Sequence, residues 1–71
     1  MNEKMLKYLV ELSGGVVDSI DVSLFFKRYP KSTANVNDLR ALDRAGYISV
    51  LDADDDITEI GVNQKAVDYF K

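Results

Sequence analysis

Residues 46–62, GYISVLDADDDITEIGV, contain two short apolar runs separated by a turn that is almost all aspartate. This pattern predicts a β-hairpin. If Ile48 faces Ile60 across the hairpin, the strands leave a five-residue loop over residues 52–56. In this register the fold does not need the acidic side chains of the loop, which are Asp52, Asp54, Asp55 and Asp56.

Three amphipathic segments precede the hairpin and one follows it, so the chain is expected to be mostly helical. Gly14 and Gly15 are expected to end the first helix, because glycine accepts the left-handed conformation that closes helices. The predicted helices cover residues 2–12, then Ser19 or Asp21 to Tyr29, then Ser32 or Thr33 to about Ala45, and finally residues 64–71 after a cap at Asn63.

The segment VVDSI, residues 16–20, lies between the first two helices. It predicts a short strand or an extended link through which Val16, Val17 and Ile20 reach the core. The second helix is expected to bury a stripe at helical spacing, consisting of Val22, Phe25, Phe26 and Tyr29, with Leu24 outside it.

Composition limits what the chain can do. Its 71 residues predict one small domain, 1–71, and 46% apolar residues are enough for a folded core. There is no cysteine and no histidine, so the usual nucleophile and the usual general base are missing. We therefore expect no enzyme activity, no cofactor and no metal. Neither a signal peptide nor a membrane-spanning segment is evident, which predicts a cytoplasmic protein.

Charge is divided unevenly along the chain, although the net charge is only −3. Residues 27–44 carry five basic and two acidic groups, whereas residues 45–63 carry five acidic groups and no basic one. The third helix and its approach are therefore basic, and the hairpin is acidic. On the third helix Val36, Leu39 and Leu42 are expected to point inward. The opposite, polar side is lined by Thr33, Asn37, Arg40 and Arg44.

Two stretches resemble a known family. VNDLRALDRAGYISV is similar to the region of MarR-like and PadR-like regulators in which the recognition helix ends and the first strand of the wing begins. ITEIGVNQKAVDYF is similar to their returning strand and the helix after it, with Asn63 at the capping position and Ala66 at a position that is usually glycine. The resemblance implies an α+β winged helix-turn-helix fold, with a three-helix core, a β-hairpin wing and a short C-terminal helix.

The resemblance also implies a function, that of a small DNA-binding transcription regulator of bacterial or phage type. Residues 31–45 would form the recognition helix in a major groove of double-stranded DNA. The side chains permit this, since Asn37 can pair with adenine and Arg40 with guanine or a phosphate. The groups expected to hold phosphates are Lys27, Arg28, Lys31 and Arg44.

The acidic wing departs from the family, whose wing commonly carries a basic residue near its tip. The alternative function is a winged-helix protein-interaction module, an antirepressor or adaptor, that uses either the 52–56 hairpin or the aromatic second helix. A homodimer is expected to use the short helices, through Tyr8, Leu24, Phe26 or Tyr69. A calcium loop is disfavoured, because its sixth and twelfth positions would be Ile57 and Asn63.

Overall fold

Four helices and one antiparallel hairpin make up the chain, in the mixed α+β class that the sequence predicts. The computed structural model describes all residues, 1–71. None of its helices has the length and apolar character needed to cross a membrane. The elements are α1 (Glu3–Leu12), α2 (Val22–Arg28), α3 (Thr33–Arg44), β1 (Ile48–Ala53), β2 (Asp56–Val62) and α4 (Gln64–Tyr69).

Side-chain caps decide where the first three helices begin. The side chain of Asn2 accepts a hydrogen bond from the backbone N–H of Met5 at 3.0 Å, and Asp21 caps α2 in the same manner. Ser32 caps α3. Of the predicted alternatives, Asp21 and Ser32 are therefore correct, and α3 is shorter at both ends than the predicted recognition helix of residues 31–45.

Asn63 does not cap α4 with its side chain, contrary to the sequence prediction. Its amide nitrogen donates instead to the carbonyl oxygen of Gly46 at 3.2 Å and to the hydroxyl of Ser49 at 3.1 Å. The amide is thus used to join the start of α4 to the start of the hairpin. α4 also ends at Tyr69, two residues before the predicted limit.

The segment after α1 returns to the hairpin. Gly14 and Gly15 have φ angles of +72° and +77°, which turn the chain out of the helix as predicted. Ser19 then forms an antiparallel bridge with Gly61, so the segment predicted as a short strand or an extended link contains a single bridge on the edge of β2. Val16 and Val17 are both 55% exposed, so the expectation that they reach the core is wrong.

The hairpin register differs from the predicted one by two residues. Ile48 pairs with Val62 and Val50 pairs with Ile60, and the register shifts after Leu51. The strands consequently run further toward the tip, where Ala53 pairs with Asp56. The loop is therefore two residues, 54–55, instead of five, and Asp52 and Asp56 belong to the strands.

The core lies where the helices meet the inner face of the hairpin. Phe25 is fully buried, and its ring stacks on that of Tyr29 at a centroid distance of 5.3 Å. The other members of the predicted α2 stripe are half-buried against this core, and Leu24 is exposed as predicted. The largest fully buried side chains are Phe25, Met5, Leu6, Leu9, Leu39, Leu42, Ile48, Ile60 and Val62.

Candidate nucleic-acid interface

The outward face of α3 is exposed to solvent and carries no large apolar side chain. Thr33, Asn37 and Arg44 are all exposed, and none of their side chains forms a hydrogen bond or ion pair within the chain. Ala34 and Ala41 are also exposed and leave space beside these polar groups. α3 therefore presents a narrow polar surface that a partner can approach closely.

Arg40 lies on the edge of this face and is held by the hairpin. Its Nη1 and Nη2 atoms donate to the two carboxylate oxygens of Asp52, each at 2.7 Å. The arginine side chain is 36% exposed and the aspartate 39%, so the pair is accessible to solvent. Hydrogen bonding to Asp52 raises the pKa of Arg40, and hydrogen bonding to Arg40 lowers the pKa of Asp52.

A second ion pair joins the approach to α3 with the other strand. Lys31 Nζ lies 2.5 Å from the Oδ1 atom of Asp56, and this hydrogen bond lowers the pKa of Asp56. The same ammonium lies 5.0 Å from the centroid of the Phe26 ring, in cation–π range. We call the two pairs, Arg40–Asp52 and Lys31–Asp56, the hairpin clamp.

The hairpin clamp depends on the local geometry of the chain. Only residues 45–47 separate α3 from β1, so the hairpin must lie beside the helix that precedes it. Side chains alternate across a strand, and the register places Asp52 on the side that faces Arg40. The clamp therefore follows from a short connection together with the strand register.

The tip of the hairpin carries the remaining two carboxylates. Asp54 and Asp55 have φ angles of +51° and +63°, the left-handed geometry of a two-residue type I′ turn. Both are exposed, and neither forms an ion pair. The four aspartates that the sequence grouped together thus divide into two that form ion pairs, one with Arg40 of α3 and one with Lys31 before it, and two that are unpaired.

Lys27 and Arg28, at the end of α2, complete the predicted set of phosphate-binding residues. Both are exposed and neither forms an ion pair. Arg28 places its guanidinium 5.0 Å from the centroid of the Tyr8 ring of α1. It is thereby positioned against α1, which the sequence did not indicate.

Arg28 forms one side of a surface groove between α1 and the end of α2. The groove has a volume of about 300 Å³. It is lined by Lys4, Lys7, Tyr8, Glu11, Arg28 and Tyr29. We call it the α1–α2 groove. The sequence did not single out Lys4 and Lys7, because exposed lysines on an amphipathic helix usually belong to its solvated face.

The sequence did contain a signal for the hairpin clamp. A basic segment, residues 27–44, is followed by the acidic hairpin through a connection of three residues, which brings opposite charges together. The five-residue loop assumed in the predicted register concealed this signal. The hairpin aspartates do not gather into a metal site, since no group of three or more potential ligands converges in the structure.

Comparisons with models of protein families, with curated proteins and with solved structures find no significant match to this chain. A functional assignment therefore depends on the geometry of α3, the hairpin and the α1–α2 groove.

Proposed function

We propose that the chain is a winged helix-turn-helix domain that binds double-stranded DNA. The order of helix, bridged segment, helix, helix, hairpin and helix supports this class. The bridge is the most informative part, because backbone hydrogen bonds tie the segment before α2 to β2. Ile20 N donates to Ile60 O at 2.9 Å, and Val62 N donates to Asp18 O at 2.8 Å.

Within this class we propose a small, cytoplasmic transcription regulator with α3 as its recognition helix. The observation that carries the proposal is the exposed face of Thr33, Asn37 and Arg44, none of which is committed to a partner within the chain. Asn37 would pair with an adenine edge in the major groove, while Arg44 and Lys27 would hold phosphates. Ala34 and Ala41 would let the helix approach the bases.

The hairpin clamp gives the acidic wing a role in this proposal. Asp52 occupies both terminal nitrogens of Arg40, which are the atoms that would bind guanine or a phosphate. Asp52 therefore competes with DNA for Arg40, and Asp56 does the same for Lys31. DNA sequences that offer Arg40 a well-placed acceptor would release it from Asp52. Other DNA sequences would bind only the cations that form no ion pair within the chain.

Fluorescence anisotropy with labelled duplexes tests the proposal. We expect mixed-sequence duplex to bind at low salt, and a selected sequence to bind more tightly. Asn37→Ala should weaken binding to the selected sequence by about 5- to 150-fold and relax the preference at one base pair. Arg40→Ala should act in the same direction but less strongly, since DNA must first displace Asp52.

Lys65→Ala serves as the control for these variants. Lys65 belongs to α4 and not to the exposed face of α3, and its Nζ atom donates to the carbonyl oxygen of Ala45. In NMR titrations, amide shifts should concentrate in residues 27–44. If neither random nor selected duplexes bind at low salt, the DNA-binding proposal fails.

A second candidate function is a protein-interaction module that uses the hairpin tip. The observation that favours it is the pair of free carboxylates on Asp54 and Asp55, in a turn that would accept glycine more easily. Under this proposal Asp54→Asn with Asp55→Asn would abolish capture of a basic partner and leave the fold intact. Under the DNA-binding proposal the same change would leave duplex binding unchanged or strengthen it.

A further inference from the structure

The α1–α2 groove is lined by three cations and one acid. Lys4, Lys7 and Arg28 are exposed, and none of them forms an ion pair within the chain. Glu11 is the single acid in the lining, so the groove carries a net charge of +2 on a chain whose net charge is −3. The groove is thus a local reversal of the overall charge.

Helix stability does not account for the position of Lys4. It lies in the first turn of α1, where the helix dipole is positive and a cation is unfavourable. No acid in the chain forms an ion pair with it. A solvated lysine would therefore be placed more favourably elsewhere on this helix.

Lys7 has acidic neighbours one turn away in both directions, yet it is also unpaired. Glu3 stands four residues before it, which is the favourable order for a helical ion pair. The Glu3 carboxylate instead accepts a hydrogen bond from the hydroxyl of Tyr69 on α4. Glu11, four residues after Lys7, forms no ion pair either. The ammonium of Lys7 is left available to a ligand.

Arg28 is already oriented for binding. Its guanidinium lies over the Tyr8 ring, and Tyr8 is held in turn by the rings of Phe25 and Tyr29 at 6.3 and 5.8 Å. Stacking reduces the freedom that an arginine loses when it binds, while its N–H donors stay open. A planar, preorganised donor of this kind suits a phosphate group.

The shape of the groove indicates the kind of anion. Small-molecule sites normally enclose most of their ligand, whereas every residue lining this groove is exposed or half-buried. An open cationic strip suits one side of an extended polyanion. The amino end of α1 is also attached to α3, since Asn2 Nδ2 donates to Asp38 Oδ2 at 3.0 Å. The opposite edge of α3 bears Arg40 and the acidic hairpin.

We propose that the α1–α2 groove, through Lys4, Lys7 and Arg28, binds the phosphodiester backbone of the same duplex that α3 contacts. This inference rests on the proposed DNA-binding function and specifies the side of α3 on which the backbone lies. The acidic hairpin lies at one edge of α3, and the amino end of α1, which leads into the groove, is hydrogen-bonded to Asp38 of α3. The duplex is therefore held by both α3 and the α1–α2 groove.

The test compares a double variant, Lys4→Ala with Lys7→Ala, with Lys71→Ala. Lys71 is an exposed lysine that pairs with Asp68 at the end of α4, so its removal changes charge without touching the groove. Binding of mixed-sequence duplex is measured by anisotropy over a range of KCl concentrations. Thermal unfolding of each variant checks that the fold is retained.

We expect the double variant to weaken binding and to make the slope of log K against log salt shallower by about 1.8, since each lost phosphate contact contributes about 0.9. Arg28→Ala should make it shallower by about 0.9. Preference for a selected over a random sequence should not change, because phosphate contacts do not specify bases. Lys71→Ala should match the unmodified protein.

Three results would overturn the inference. If the double variant matches Lys71→Ala while Asn37→Ala still weakens binding, the groove does not contact DNA and the proposed function stands. If the unmodified protein binds no duplex at all, the proposed function itself fails. If the double variant instead converts a dimer to a monomer with an unchanged salt slope, the groove holds an acidic segment of a second copy.

Discussion

Under the DNA-binding proposal, replacing Asp52 with asparagine should make duplex binding tighter and more strongly dependent on salt. The substitution removes the carboxylate that accepts two hydrogen bonds from Arg40, each at 2.7 Å. An ion-paired guanidinium brings no net charge to DNA, so it displaces no condensed counterion. Once it is freed from Asp52, Arg40 can displace about one condensed counterion from the DNA.

The size of the effect follows from this count. One added contact should steepen the slope of log K against log salt by about 0.9. Extrapolated from 1 M salt to 0.1 M, a slope change of this size is an increase of about eightfold in the association constant. The effect on stability should be small, because the pair is exposed to solvent on both sides.

The assay is a set of duplex titrations at five or more KCl concentrations, arranged as a double-mutant cycle. The cycle consists of the unmodified protein, Asp52→Asn, Arg40→Ala and the two changes combined. Arg40→Ala should weaken duplex binding more in the Asp52→Asn background than in the unmodified protein, because Asp52 no longer competes with DNA for Arg40 in that background. The combined variant should not show the increase in DNA affinity that is expected of Asp52→Asn alone.

Asp54→Asn is the matched control, because it removes the same charge from the same hairpin without freeing a cation. Its salt slope should equal that of the unmodified protein. If Asp52→Asn weakens binding, or changes the slope no more than Asp54→Asn does, then Asp52 does not compete with DNA for Arg40. The reasoning about the hairpin clamp would then be refuted.

Three further outcomes concern the fold. Phe25→Ala should lower the free energy of unfolding in urea by about 3 to 5 kcal/mol, whereas Leu24→Ala, at a position 46% exposed, should change it little. The pKa of Asp52 is lowered by Arg40, so its contribution to stability is present above the ordinary aspartate pKa and is lost as the pH falls through the lowered value. Stability of the unmodified protein should accordingly fall more steeply below about pH 4 than that of Asp52→Asn. The hydrogen bond to the Glu3 carboxylate raises the pKa of Tyr69. This hydrogen bond therefore stabilises the fold below about pH 10, and the stabilisation is lost as the pH rises through the raised pKa. Tyr69→Phe should abolish this pH dependence.

The helices were predictable because their signals are local. Apolar residues at spacings of three and four marked α1 and α3, and Asp21 and Ser32 were recognisable as caps. Caps and helical stripes act within one or two turns, so they operate with little help from the rest of the chain. The exposed side of α3 was predictable for the same reason, since its geometry follows from the position of the buried side.

Contacts between elements were less predictable. The side chain of Asn63 was expected to cap α4, but its amide nitrogen instead donates hydrogen bonds to Gly46 and Ser49. Val16 and Val17 are apolar, yet the chain between α1 and the bridge leaves them exposed. Arg28 was grouped with α3 by its position in the sequence, whereas stacking on Tyr8 places it against α1.

The sequence predicts an α+β chain in which a basic segment, residues 27–44, is followed by an acidic hairpin. The contacts of the hairpin aspartates depend on the strand register, and two alternative registers are both compatible with the apolar pattern of the hairpin. The register that forms places Asp52 and Asp56 in the strands, where they bind Arg40 and Lys31. It leaves Asp54 and Asp55 free in the turn. Four aspartates within five residues thus acquire two different roles through strand pairing and a short connection, which local sequence preferences do not encode.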